Sequence, residues 1–148
     1  MSDTWLRIIP SDPNFQPSRE AADQARILLG KFLPHSAEVT VNFNDDVTFI
    51  DAGGNWEGVK CAACGRDADS WWEDAMNRSY GTRFANLIVT APCCGEKVSL
   101  NDLNYVWPVG FAKFVAQAMN PEQDLTPTQL QQLSDCLGCE LRRIWQHI

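Results

Sequence analysis

Residues 110–119 read G-F-A-K-F-V-A-Q-A-M, and the element they form decides the fold. Phe111, Phe114, Val115 and Ala118 match a helical stripe, whereas an apolar run of this length stopped by Asn120-Pro121 also suits a buried strand. An echo elsewhere in the chain argues for the strand. Trp5–Ile9 is a short apolar run halted by Pro10, and Ile9 lies eight residues before Pro17 just as Met119 lies eight before Pro127.

Both prolines open helices. After Pro17-Ser18, the residues Ala21, Ala25, Leu28, Leu29 and Phe32 follow one helical face, with Gly30 and Pro34 near its end. Thr126-Pro127-Thr128-Gln129 carries a threonine N-cap, a proline at the first helical position and a glutamine in the capping-box place. Leu130, Leu133 and Leu137 give that helix its buried stripe, and Gly138 stops it. A strand follows each helix. In the first half it is Val39–Phe43, from which Asn44-Asp45-Asp46 is predicted to turn into a further strand, Val47–Ile50. In the second half it lies within Cys139–Ile148. Two β-α-β units of like layout predict an α+β, ferredoxin-like sandwich formed by residues 1–59 and 105–148, with both helices on one sheet face.

Between the halves, residues 60–104 read as an insert. Cys61 and Cys64 lie in C-A-A-C-G and Cys93 and Cys94 in A-P-C-C-G, each ending on a glycine, Gly65 and Gly95. Thiolates delivered by two tight turns make a soft tetrahedral cage suited to structural Zn²⁺, and a glycine lets each turn aim backbone N–H groups at sulfur. Adjacent cysteines reach one metal only if the backbone turns between them, which Pro92 and Gly95 favour. Cys136 and Cys139 form a third C-x-x-C that competes for the role of second pair, although core packing suits it better. A redox role for Cys61 and Cys64 is disfavoured by Asp67 and Asp69, which oppose thiolate formation. The insert is further predicted to hold a helix from Asp69 or Ser70 to Tyr80 that carries Trp71 and Trp72, a strand Phe84–Thr90, and a capped turn at Ser99.

The chain has 148 residues, 45% of them hydrophobic and 21% charged, which fits one soluble domain with an insert. Net charge is −7, and residues 35–104 carry eleven acidic against five basic side chains. That surface repels phosphate backbones and anionic membranes and suits a basic protein partner. The start of the chain lacks a signal-like leader and no stretch has membrane-span length, so a cytoplasmic protein is expected. His35 and His147 are read as exposed, Asp45, Asp46 and Asp51 as a solvated acidic face, and Gly53-Gly54-Asn55 as a turn without a phosphate-loop lysine.

The stretches W-L-R-I-I-P-S-D-P, A-P-C-C-G with S-L-N-D-L, and W-P-V-G-F-A-K-F resemble a family of uncharacterised bacterial proteins, a likeness that implies no activity or catalytic residue. The cysteine segment resembles a zinc ribbon and departs from its paired C-x-x-C-G knuckles at Cys93-Cys94. The expectation is a non-enzymatic, zinc-stabilised protein that acts by binding another protein, as an immunity or adaptor protein would. An enzyme with its site between sandwich and insert is the alternative, and a nucleic-acid-binding ribbon a weaker one.

Overall fold

A computed structural model describes residues 2–148. Strand β1 spans Thr4–Pro10, helix α1 Arg19–Phe32 and strand β2 Glu38–Ile50. Strand β7 spans Gly110–Met119, helix α3 Pro127–Leu137 and strand β8 Leu141–His147. Between β2 and β7 lie β3 (Val59–Lys60), α2 (Asp69–Tyr80), β4 (Ile88–Thr90), β5 (Lys97–Ser99), a 3₁₀ turn at Leu100–Asp102 and β6 (Asn104–Tyr105). Residues 110–119 are therefore a strand.

The fold is α+β. Four antiparallel strands form one sheet in the order β2-β7-β1-β8, and β3-β6 and β4-β5 form two small two-stranded sheets. The helix starts follow their capping chemistry. The Ser18 hydroxyl accepts from the Ala21 amide at 3.1 Å, and Thr126 and Gln129 complete a capping box with Pro127 in the first turn. At the far end of α3, Gly138 takes a left-handed conformation (φ 82°) that lets its amide reach the Ser134 carbonyl.

Helices α1 and α3 cover one sheet face. Leu6 and Ile8 of β1 and Phe114 of β7 pack there against Ala25 and Leu29 of α1 and Leu133 of α3. Fully burying side chains of this size contributes roughly 1.5–3 kcal/mol each before conformational entropy is counted. The buried face of α1 is Ala22, Ala25 and Leu29, while Ala21, Leu28 and Phe32 lie at its half-buried margin.

The opposite face is closed by the sheet itself. The predicted turn at Asn44-Asp45-Asp46 is absent. These residues belong to a single long β2, and its pairing with β7 shifts register between Phe43 and Thr48. The paired stretches 38–43 and 48–50 flank residues 44–47, which have no partner in β7, so the turn-forming residues sit in a bulge at which the ribbon bends. Beyond the bend the ribbon folds onto the second face, where Ile50 and Ala112 meet Ile9, Val115 and Ile144. Gly110 allows this approach, because a Cβ there would lie 2.6 Å from the Ile9 Cδ1. Asp51, expected on a solvated surface, is instead half-buried and accepts a hydrogen bond from the Gln146 amide. It also lies close to the half-buried Arg7, whose guanidinium is pushed down by burial and held up by the Asp51 charge.

The outer surface of the bent ribbon carries the segment between β2 and β7. Phe49 and Phe111 project into a cluster with Trp71, Ala75, Met76 and Phe84. One polar side chain locks this segment to the sheet. Asn101 is buried, its Oδ1 accepts from the Phe111 amide at 3.1 Å, and its Nδ2 donates to the Ser11 carbonyl at 3.1 Å. Arg142 of β8 donates to the Asn101 carbonyl and to Asp102, both under 3 Å. Arg143, on the opposite face of β8 as its adjacency predicts, pairs instead with Asp124 at 3.2 Å.

Candidate metal centre

Two short loops bring four thiols together. The first, Cys61–Gly65, leaves β3, and the second, Ala91–Gly95, joins β4 to β5. In the first loop the Gly65 amide donates to the Cys61 carbonyl at 2.9 Å and the Cys61 amide to the Arg66 carbonyl at 2.8 Å. The second repeats the pattern, with Gly95 to Ala91 at 2.7 Å and Ala91 to Glu96 at 2.8 Å. Gly65 and Gly95 share a left-handed backbone, φ 76° and 77°, which a side chain would strain.

The sulfurs of Cys61, Cys64, Cys93 and Cys94 all lie within 4.8 Å of one another. Cys61 Sγ is 3.9 Å from Cys94 Sγ, and Cys64 Sγ is 3.3 Å from Cys93 Sγ. Sulfurs bound tetrahedrally to one zinc at about 2.3 Å sit about 3.8 Å apart, so the set matches a four-thiolate shell. The backbone turn between Cys93 and Cys94 points both side chains at one centre. Burial is uneven: Cys61 is enclosed, Cys93 half-buried, and Cys64 and Cys94 exposed.

The thiols differ in acidity. The Cys64 amide, pointing at the Cys61 sulfur, lowers that thiol to about 7 against an opposing effect of burial. Burial first, then the neighbouring Cys64 and Cys61 sulfurs, push Cys93 up to about 12. At Cys94 the Glu96 amide favours the thiolate, but burial and the Cys61 and Cys64 sulfurs together leave it raised. Arg66 braces the pair of loops by donating to the Cys93 carbonyl at 3.1 Å.

Cys136 and Cys139 take no part in this cluster. Both are half-buried against the α1–α3 side of the sheet, where the Cys136 thiol donates to the Ala21 carbonyl at 3.7 Å. Burial raises both thiols, Cys139 to about 11. The strand expected from Cys139 begins at Leu141. The strand expected over Phe84–Thr90 is shorter, Ile88–Thr90, because Arg83 and Phe84 take a left-handed backbone that closes a turn after α2. Helix α2 begins at Asp69 without a side-chain cap, because the N-cap residue is Ala68; the Asp69 carboxylate, one position further in, accepts from the Val59 amide at 3.3 Å.

Both tryptophans of α2 pack inward. Trp71 is buried in the cluster behind the metal loops, and Trp72 is half-buried among Phe49, Trp56 and Tyr105. The exposed tryptophan is Trp56, which precedes β3 and carried no helical or strand pattern to mark it. His35 and His147 are exposed, as are Asp45 and Asp46, the latter 3.8 Å from Arg83. Among the described residues, no helix is long and apolar enough to cross a membrane. No family model matches the chain, nor does any curated protein or solved structure.

Proposed function

We propose that the chain is a zinc-stabilised binding protein, an adaptor or immunity protein rather than an enzyme. Its Zn²⁺ ion would be held by Cys61, Cys64, Cys93 and Cys94. The observation that carries this reading is the convergence of four sulfurs, two of them 3.3 Å and two 3.9 Å apart, on paired knuckles of matching backbone geometry. A catalytic zinc keeps a position open for water or substrate, whereas a four-thiolate shell fills every position, so a structural role suits the cluster. The likeness of residues 60–104 to a zinc ribbon and the antiparallel order β2-β7-β1-β8 support reading the chain as a ferredoxin-like sandwich with a ribbon-like insert. The acidic middle of the chain favours a basic protein partner and opposes nucleic acid.

Elemental analysis with X-ray absorption on freshly purified protein tests the metal. One zinc per chain with four sulfur neighbours at about 2.3 Å is expected, and a nitrogen or oxygen neighbour would overturn the assignment. Cys93→Ser should release the metal and Cys136→Ser should retain it; the reverse outcome would move the site. Cross-linking in cells that express the chain, read by mass spectrometry, tests the binding role, which a repeated lack of any cross-linked protein would sink.

A further inference from the structure

The surface beside the metal loops is built as a rigid aromatic platform. Trp56, 36% exposed, stacks on Trp72 with ring centroids 4.7 Å apart and planes 33° from parallel. Trp72 donates its indole N–H to the Tyr105 hydroxyl at 3.1 Å, and that hydroxyl donates to the Leu100 carbonyl at 2.6 Å. The stack is thereby fixed to the backbone. Val106, 52% exposed, lies next along the chain from Tyr105, and its amide bonds the Gly58 carbonyl at 3.1 Å beside the β3–β6 ribbon. Trp107 is held against the same edge, its indole donating to Glu57 Oε1 at 3.2 Å. Among the described residues nothing bonds the other Glu57 oxygen.

The rim is acidic. Glu57 is exposed and holds the edge of the Trp107 indole, while the exposed Asp69 carboxylate stands behind it at the Gly58 backbone and accepts from the Val59 amide. An exposed tryptophan held in place, as Trp56 is, loses little freedom on binding, which is the property of interface anchors. An indole face beside a carboxylate suits a planar cation, which stacks on the ring and bonds the oxygen in the same approach.

We infer that Trp56 and Trp107, with Glu57 at their edge, form the docking surface for an arginine-bearing segment of a basic protein. An arginine guanidinium lies over Trp56 and bonds the free oxygen of Glu57. This assignment rests on the protein-binding reading above and adds to it the surface and the chemistry of the partner. The eleven acidic side chains of residues 35–104 attract such a segment at long range. The same charges repel a single-stranded nucleic acid that would otherwise stack on exposed indoles.

The test uses the full-length, metal-loaded chain labelled with ¹⁵N, at low salt, with the indole N–H resonances as readout. The probe is an end-blocked Gly-Arg-Gly-Arg-Gly peptide. Its citrulline counterpart and an oligothymidylate serve as comparisons. The Trp56 and Trp107 resonances should shift saturably with the arginine peptide, while Trp5 and Trp145 stay in place. Glu57→Gln should weaken the apparent affinity at least about fivefold with metal content and the Trp5 resonance unchanged. Trp56→Ala, which also loosens Trp72, should abolish the shifts. Equal shifts with the citrulline peptide, a tighter response to the oligonucleotide, or no shift at millimolar peptide would overturn the assignment. Cellular cross-links to α1, unaffected by Glu57→Gln, would overturn this surface while leaving the protein-binding role standing.

Discussion

Ala91 holds in the second metal loop the place that Cys61 holds in the first. Each directly follows a strand, is fully buried, accepts from the glycine amide four residues on, and donates to the carbonyl five residues on. Counted from the glycines, Cys94 matches Cys64, and Cys93 matches Ala63. The second loop therefore supplies its other thiol from two residues further along, next to Cys94, and leaves the position matching Cys61 apolar.

That equivalence predicts a rescue. Cys93→Ser should weaken zinc binding at least about tenfold in a chelator competition. Adding Ala91→Cys to it should restore affinity, because a sulfur at residue 91 starts from the place Cys61 uses. Failure of the double variant, with Cys93→Ser alone defective, would show that the two loops are not interchangeable.

Metal affinity should rise with pH. Zinc binds thiolates, so each thiol that is protonated in the metal-free chain gives up a proton on binding. Cys93, pushed up to about 12 by burial, contributes one such proton across the whole neutral range. Cys61, lowered to about 7 by the Cys64 amide, adds another as pH falls below that value. The logarithm of affinity, measured by competition between pH 6 and 9, should climb throughout and be steeper below 7 than above it.

Asn101→Leu should cost about 2–5 kcal/mol in a denaturant titration of the metal-loaded protein, since it strands the buried Phe111 amide and the Ser11 carbonyl. Asn101→Asp keeps an acceptor for the Phe111 amide, and in its neutral form its O–H can also donate to the Ser11 carbonyl, so it should cost less than Asn101→Leu when the carboxyl is neutral.

Gly110→Ala tests the fold-over of the β2–β7 ribbon. Its methyl would meet Ile9 Cδ1 at 2.6 Å and Ile144 Cδ1 at 3.6 Å, and overpacking of this kind costs about 1–3 kcal/mol. Trimming the contact with Ile9→Val should recover part of that loss, a coupling that a double-mutant cycle measures.

Much of the frame was legible from local chemistry. Ser18, the Thr126–Gln129 capping box and Gly138 marked helix ends because capping is decided within one turn of chain. The glycine-terminated cysteine pairs marked the two loops that gather the four sulfurs for the same reason. Long-range choices escaped. Asn44-Asp45-Asp46 has turn composition, yet it forms a bulge within one strand because the residues on either side both pair with β7. Asp69 suits an N-cap, yet its carboxylate serves Val59, a residue brought near only by the fold. Trp56 lies in no periodic pattern, so its neighbours Trp72 and Tyr105 could be found only in three dimensions. Asn101 was visible as part of a capped turn, while its tie to the sheet was not.

The sheet order has a consequence for how the chain is made. Neither β1 nor β2 pairs with the other; β1 lies between β7 and β8, and β2 pairs only with β7. While the polypeptide emerges from the ribosome, both early strands wait without a partner until Gly110–Met119 has followed them out. All four thiols and the β4–β5 loop that presents two of them are outside before that strand is. The metal loops can close first, and the sheet is then completed around an anchor that synthesis has already delivered.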